Sequence, residues 1–178
     1  MDIREKKIDG DILFEGVIFT VCKDKVMCPN GKESYREIVK HNGGSGVLCV
    51  TNDDKVILIK QFRYAYDEVL YEIPAGKLEK GEDPKEAALR EFEEETGNKA
   101  LDIELLNIFY PTVGYCNEKI YIYLVKDFDV TETHFDEDEF IITEYVDFDK
   151  ALEMIYDGTI RDGKTIAAIM TYNAKYRK

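Results

Sequence analysis

Three glutamates in the segment "GKLEKGEDPKEAALREFEEETG" (residues 76–97) have the type and spacing to bind a cation. If the segment is helical, Glu91, Glu94 and Glu95 stand at i, i+3 and i+4, so their carboxylates converge on one face. Arg90 precedes Glu94 by four residues and can pair with it. Convergent carboxylates suit a hard divalent cation such as Mg²⁺, which also binds substrate phosphates. The spacing alone leaves open a second interpretation, a solvated acidic helix face.

The charge of the whole chain narrows the kinds of partner. The 178 residues carry 24 basic and 37 acidic side chains, which gives a net charge of −13. Such a field repels nucleic acid and anionic membranes, and it repels a phosphorylated substrate unless a cation intervenes. We therefore expect no nucleic-acid partner and no membrane partner, and we expect an anionic substrate to require a metal ion.

The cysteines and the hydropathy pattern indicate a compartment. Cys22, Cys28, Cys49 and Cys116 form neither a CxxC pair nor a recognisable disulfide framework. No apolar run reaches the roughly 20 residues that a membrane-spanning helix needs. Both observations predict a cytoplasmic protein with reduced thiols.

A helix must present the glutamates, and its ends are clearly marked in the sequence. Asp83 is a favourable N-cap, and Pro84 suits the first helical position. Gly97 is the predicted terminating residue. A second face of this helix is expected to pack on a sheet, and its residues are Ala88, Leu89, Phe92 and Thr96.

The residues before this helix predict β-strands. Residues 12–41 alternate apolar and polar side chains in places, and "PNGK" at residues 29–32 is a strong hairpin turn. The stretch "GGSG" at residues 43–46 predicts a flexible break and a domain boundary. We therefore expect an N-terminal antiparallel β segment over residues 1–44 and a main domain over residues 45–178.

The main domain is predicted to combine strands and helices. Further strands flank the glutamate helix, and two helices are expected to close the chain, at residues 148–157 and 164–175. The order strands, helix, strands, helices predicts an α/β fold in which helices cover a mixed sheet.

The glutamate segment belongs to a longer motif. Gly76, five residues, Glu82, seven residues and then "REFEEETG" from Arg90 resemble the Nudix box, G-x5-E-x7-R-E-U-x-E-E-x-G-U, in which U is aliphatic or aromatic. Every charged position and every glycine matches the box. The final U is Asn98 here, and we expect this departure to affect packing more than chemistry.

Three further stretches resemble the ADP-ribose pyrophosphatase branch of the Nudix family: "QFRYA" (61–65), "YEIPAGKLEKGEDP" (71–84) and "DGTIRDGKT" (157–165). The resemblance implies a Nudix-type α/β/α sandwich on a mixed sheet. It also implies that the N-terminal β segment packs across a homodimer.

The resemblance also implies an activity and a set of metal ligands. The implied reaction is hydrolysis of the pyrophosphate bond of a nucleoside diphosphate sugar, with ADP-ribose giving AMP and ribose 5-phosphate. Mg²⁺ is the implied cofactor, with Mn²⁺ as the alternative ion. Glu82 and Arg90 are implied to serve catalysis by orienting the metal ligands. The implied ligands are the carbonyl of Ala75 and the carboxylates of Glu91, Glu94 and Glu95.

Outside the box, the resemblance points to a general base and to two substrate contacts. In "HFDEDEF", Glu137 is the first candidate for the base and Glu139 the second, and the alternative is a solvated acidic turn. Arg63 resembles an arginine that meets the nucleotide, and a solvated or ion-paired structural role is the alternative. Glu72 either contacts the ligand or caps a strand end.

The loop "YPTVGYCNEK" bears on the choice of substrate. Gly114 and Glu118 match the branch as substrate-binding residues, but Val113 stands where the branch usually has a proline. Other substrates therefore remain as alternatives: GDP-mannose, NADH or a dinucleoside polyphosphate. A non-catalytic nucleotide-sensing module is the third hypothesis, and the intact Glu91, Glu94 and Glu95 argue against it.

Overall fold

The structure is a computed structural model that describes residues 2–133 and 140–177. The chain divides into two compact units. The N-terminal unit combines the start of the chain with one later loop, Met1–Gly43 and Tyr110–Lys119. The main unit contains the rest of the chain, Gly44–Phe109 and Ile120–Lys178.

The N-terminal unit is built on a three-stranded antiparallel sheet in the order β1-β2-β3. Its strands are β1 (Lys6–Glu15), β2 (Phe19–Met27) and β3 (Glu33–His41). The predicted turn joins β2 to β3, where the Cys28 N–H donates to the Lys32 carbonyl at 2.8 Å. Gly31 takes a φ of +78° in this turn, a conformation that costs glycine little. The predicted hairpin is therefore confirmed.

The main unit contains nine strands and three helices among the described residues. In chain order they are β4 (Gly44–Cys49), β5 (Lys55–Arg63), β6 (Glu68–Glu72), β7 (Ala75–Lys77), α1 (Pro84–Thr96), β8 (Asn98–Ala100), β9 (Glu104–Phe109), β10 (Ile120–Val125), β11 (Phe128–Val130), β12 (Ile141–Asp147), α2 (Phe148–Tyr156) and α3 (Gly163–Tyr176).

These strands form a mixed arrangement. A four-stranded sheet has the order β7-β4-β10-β9, and only its central β4–β10 pair is parallel. A three-stranded antiparallel sheet has the order β12-β5-β6, and β8 pairs with β11. Parallel central strands are normally covered on both faces, so helices are expected on either side of β4.

Alternating side chains of β4 meet two different helix layers. Leu48 lies in a buried cluster with Phe148 of α2 and Ile169 of α3. Val47 lies in a second buried cluster with Phe92 of α1. Successive side chains of a strand point to opposite faces, so the sheet carries α1 on one face and α2 with α3 on the other. The predicted α/β/α architecture on a mixed sheet is confirmed.

The prediction of a flexible break at residues 43–46 was wrong. β4 begins at Gly44, and residues 43–49 are buried. A Cβ on Gly46 would lie 3.0 Å from the Ala75 Cβ and 3.2 Å from the Pro74 carbonyl oxygen. The small residues therefore allow neighbouring backbone to approach closely, and they do not loosen the chain.

The cysteines are free thiols, as the sequence predicted. Burial raises the pKa of the Cys49 thiol to about 12, because the thiolate form would lose its hydration. Within residues 2–133 and 140–177, no helix is long and apolar enough to cross a membrane.

Candidate functional site

Helix α1 presents the glutamates, and both of its ends lie where the sequence placed them. The Asp83 carboxylate accepts hydrogen bonds from the backbone N–H groups of Lys85 and Glu86, at 2.9 and 3.4 Å. At the other end Gly97 takes a left-handed φ of 65°, and its N–H donates to the Glu93 carbonyl. The capped helix is fixed in register, so the direction of each glutamate is fixed as well.

Arg90 gathers three carboxylates around one guanidinium. Its Nη1 lies 2.9 Å from Glu91 Oε1 and 3.0 Å from Glu94 Oε2, and its Nη2 lies 3.2 Å from Glu82 Oε1. Burial alone would lower the pKa of Arg90. The neighbouring carboxylates, Glu91 foremost, outweigh burial and hold this pKa above its usual value. Arg90 therefore offsets the repulsion between the glutamates in this structure.

Glu95 reaches the neighbouring strand β7. It is buried, with 2% of its surface exposed, and its Oε2 accepts a 2.8 Å hydrogen bond from the Ala75 N–H. The bond connects residues 20 positions apart. The strand that carries the proposed carbonyl ligand is thus held against the helix that carries the proposed carboxylate ligands.

Gly76 brings the backbone of β7 into contact with Glu91. A Cβ built on Gly76 would lie 1.8 Å from Glu91 Oε1 and 1.9 Å from its carboxyl carbon. No side chain fits there without displacing the carboxylate. Gly76 therefore allows the backbone to approach the acidic cluster closely. A left-handed backbone does not explain the glycine, because its φ is not positive.

The donor chemistry of this cluster fits a hard divalent cation. Glu91, Glu94, Glu95 and the backbone of Ala75 supply only oxygen donors, which Mg²⁺ prefers. The absence of a side chain on Gly76 leaves room for the Glu91 carboxylate beside the backbone. In the part of the chain that the structure describes, no three acidic, histidine or cysteine side chains are already arranged as a metal cage. Cages of that kind are rare for Mg²⁺, which usually relies on a few carboxylates together with substrate phosphates.

The structure pairs the two predicted substrate contacts with each other. Arg63 Nε and Nη2 donate to the two oxygens of Glu72, at 2.6 and 2.7 Å. Glu72 ends β6 and is only 2% exposed, whereas 38% of the Arg63 side chain is exposed. Burial raises the pKa of Glu72, but Arg63 and Lys164 outweigh it and hold that pKa below its usual value.

The first turn of α3 completes a buried polar network that the sequence analysis did not assign. Lys164 forms an ion pair with Glu72, and its Nζ lies 3.1 Å from the carboxylate of Asp162. Asp162 also accepts the N–H of Thr165, so it is the N-cap of the helix. Asp-Gly-Lys-Thr before an apolar pattern is a recognisable helix start. The pairing of Lys164 with Glu72 spans 92 residues and leaves no local signature.

The predicted loop contacts lie in the N-terminal unit. Gly114 faces open space, and Glu118 lies with its Oε1 3.5 Å from His41 Nδ1. Val113, in the position of the usual proline, is 82% exposed. The same loop is tied to β3, because the Val39 N–H donates to the Tyr115 carbonyl at 2.8 Å. The candidates for the general base, Glu137 and Glu139, lie outside the described residues.

Comparison with known proteins places this site in a family. Residues 40–169 match the model of the NUDIX domain. The chain is 41% identical over 175 residues to the ADP-ribose pyrophosphatase of Bacillus subtilis (strain 168), covering 97% of this chain and 95% of that protein. It is also 41% identical over 168 residues to the methanol dehydrogenase activator of Bacillus methanolicus, covering 93% and 91%.

A more distant relative and a solved structure extend the comparison. The GDP-mannose pyrophosphatase of Yersinia enterocolitica is 33% identical over 144 residues, covering 75% of each chain. The crystal structure of an ADP compounds hydrolase superposes with a TM-score of 0.85 over 100% of both chains, at 20% identity, which shows a shared fold. The chain therefore belongs to the Nudix family, and the enzyme class predicted from its motif, a Nudix hydrolase, is confirmed.

Proposed function

We propose that this protein hydrolyses the pyrophosphate bond of ADP-ribose, giving AMP and ribose 5-phosphate, and that it depends on Mg²⁺. The observation that carries the proposal is the joining of the two halves of the motif: Glu95 of α1 holds Ala75, and Glu91 packs on Gly76. The relative named ADP-ribose pyrophosphatase, which matches nearly the whole length of the chain, supports the choice of substrate.

The metal-binding residues in this proposal are Glu91, Glu94 and Glu95 with the carbonyl of Ala75. A bound divalent ion supplies positive charge that neutralises the pyrophosphate and favours attack by water. Glu82 and Arg90 keep the carboxylates oriented, as their ion pairs of 2.9 to 3.2 Å suggest.

A general base and the substrate contacts complete the proposed site. Glu137, with Glu139 as second candidate, accepts a proton from the attacking water. Arg63 is the proposed contact for the nucleotide phosphates, because its guanidinium is partly exposed and is oriented by a two-point pair with Glu72. Gly114 and Glu118 are proposed to contact the substrate from the loop that carries Val113.

The N-terminal β segment, residues 1–44, is proposed to form a homodimer with a second copy of the chain. Its support is a set of exposed apolar side chains on and beside β1, which monomeric proteins rarely leave in water. They are Ile8, Ile12, Leu13, Phe14, Val17 and Ile18. Sedimentation of the wild type and of Phe14→Glu tests this: a dimer that dissociates in the variant is expected, and a monomeric wild type would contradict it.

A cytoplasmic location is also part of the proposal.

A substrate panel tests the proposed activity. Turnover of ADP-ribose is compared with that of GDP-mannose, NADH and diadenosine polyphosphates, with Mg²⁺ and with a chelator, and the products are identified. We expect a marked preference for ADP-ribose that chelation abolishes. Preference for another compound would keep the Nudix chemistry and reject the substrate. No turnover of any of them would favour the nucleotide-sensing alternative.

A further inference from the structure

The buried hydroxyl of Thr165 joins the start of α3 to the segment between β6 and β7, which leads into the metal motif. Thr165 has none of its surface exposed. Its Oγ1 accepts a 2.8 Å hydrogen bond from the Ile73 N–H and donates a 2.6 Å hydrogen bond to the Asp162 carboxylate. Both distances lie in the usual range for hydrogen bonds of their type. The bond to Asp162 fixes the direction of the hydroxyl hydrogen. The free lone pair of the hydroxyl is thereby aimed at the Ile73 N–H.

The segment from Glu72 to Ala75 is held at each residue in turn. Glu72 is held by Arg63 and Lys164, and Ile73 is held by Thr165. The Pro74 carbonyl accepts the N–H of Val47 at 2.9 Å, and the proline ring restricts the backbone further. Ala75 donates to Glu95 at 2.8 Å. A displacement at Ile73 is therefore transmitted to Ala75 within two residues.

We propose that Thr165 is a positioning residue for the metal site, acting through Ile73 on Ala75 and, from there, on the carboxylate of Glu95. This inference rests on the proposed function only in that it takes Ala75 and Glu95 to bind the metal. Thr165 touches neither substrate nor ion. Its hydroxyl sets where the backbone of Ala75 stands, and the Ala75 N–H orients the carboxylate that the ion requires.

Because Gly76 lies so close to Glu91, the position of this backbone also affects the Glu91 carboxylate. The backbone of β7 approaches Glu91 so closely that a single added carbon would overlap its carboxylate. A small movement of the segment consequently alters two metal-binding carboxylates together. Partners that orient metal ligands directly are worth about 10–100-fold in metal affinity. We expect an effect of about 3- to 10-fold for a residue one step further away.

Three variants separate positioning from simple loss of stability. Thr165→Val keeps the shape and removes the hydroxyl, and Thr165→Ser keeps the hydroxyl. Thr171→Val is the matched control on the same helix, because its hydroxyl also accepts a 2.8 Å hydrogen bond, from Asn107 of β9. Each variant is titrated with Mn²⁺ by calorimetry in the absence of substrate, below its measured melting temperature.

The expected result is Mn²⁺ binding about 3- to 10-fold weaker in Thr165→Val. Thr165→Ser and Thr171→Val are expected to bind like the wild type, although Thr171→Val melts earlier. Unchanged binding in Thr165→Val, or equal weakening in Thr171→Val, would overturn the inference. A wild type that binds Mn²⁺ but hydrolyses no pyrophosphate would reject the proposed function and leave this comparison valid. A wild type that binds no Mn²⁺ would reject both.

Discussion

The N–H of Ala75 donates a hydrogen bond to the carboxylate of Glu95, and this bond joins the two halves of the Nudix motif. The strand half supplies backbone that comes close to the acidic cluster, and the helix half supplies carboxylates at fixed angles. Neither half forms the site alone. The motif therefore has to span a strand, a loop and a helix, which explains the long fixed spacing between Gly76 and Glu95.

Replacing Gly76 with alanine is expected to weaken metal binding in a folded protein. The new Cβ would lie 1.8 Å from Glu91 Oε1, and the flexible carboxylate would swing away to make room. Because Glu91 is a proposed ligand, we expect Mn²⁺ affinity to fall by about 10-fold or more, measured by calorimetry.

Gly81→Ala is the control for this substitution. Gly81 has a φ of +86° and nothing within 4 Å of an added Cβ. The control is expected to lose about 1–2 kcal/mol of stability through backbone strain and to keep its Mn²⁺ affinity. Normal affinity in Gly76→Ala would contradict the role assigned to the close approach.

Glu72→Gln is expected to destabilise the protein at neutral pH. It removes the carboxylate that Arg63 and buried Lys164 share and leaves Lys164 only the Asp162 carboxylate at 3.1 Å, and breaking a buried pair costs about 3–5 kcal/mol. Urea unfolding at pH 7 measures the loss. The control is Glu144→Gln, which removes a partly exposed pair with Lys60 and should cost about 1 kcal/mol or less.

The stability lost in Glu72→Gln is also expected to depend on pH. The folded pKa of Glu72 lies below the ordinary value, so the folded state binds this proton less readily than the unfolded chain does. Its stabilising contribution is present above the ordinary pKa and is lost as the pH falls through the folded pKa. The difference between wild type and Glu72→Gln should therefore shrink on acidification, and a difference that grows would refute the ion-pair assignment.

Asn98→Leu restores the apolar residue that the motif usually carries at its last position. Asn98 is buried, and its Nδ2 lies 3.1 Å from the Thr96 carbonyl and 3.2 Å from the Tyr145 hydroxyl. Losing these bonds is expected to lower the free energy of unfolding by about 1–2 kcal/mol, with turnover nearly unchanged. A large loss of turnover at full folding would show that this position affects the chemistry.

The sequence predicted the parts of the site that follow from local rules. Asp83 and Gly97 mark the ends of α1 because capping depends on residues within one turn. The helical spacing of Glu91, Glu94 and Glu95 follows from periodicity, and their convergence on one ion stays a prediction. These features required no knowledge of the rest of the chain.

Long-range pairings were missed because they depend on tertiary packing. Lys164 reaches Glu72 across 92 residues, and the sequence around Arg63 does not indicate which carboxylate pairs with it. The error at Gly44 has the same origin, since glycine marks a flexible linker in some settings and a close approach of strands in others. Composition alone does not distinguish the two.

The most direct test of the central claim compares wild type with Glu95→Gln in Mg²⁺-dependent release of AMP from ADP-ribose. Glutamine can still accept the Ala75 N–H, so the variant should fold and melt nearly as the wild type does. Its turnover should fall by more than about 100-fold. Residues that only orient a metal ligand contribute about 10–100-fold, whereas this variant loses the charge of a proposed ligand itself. Near-normal turnover in a folded Glu95→Gln would contradict the assignment of the metal site.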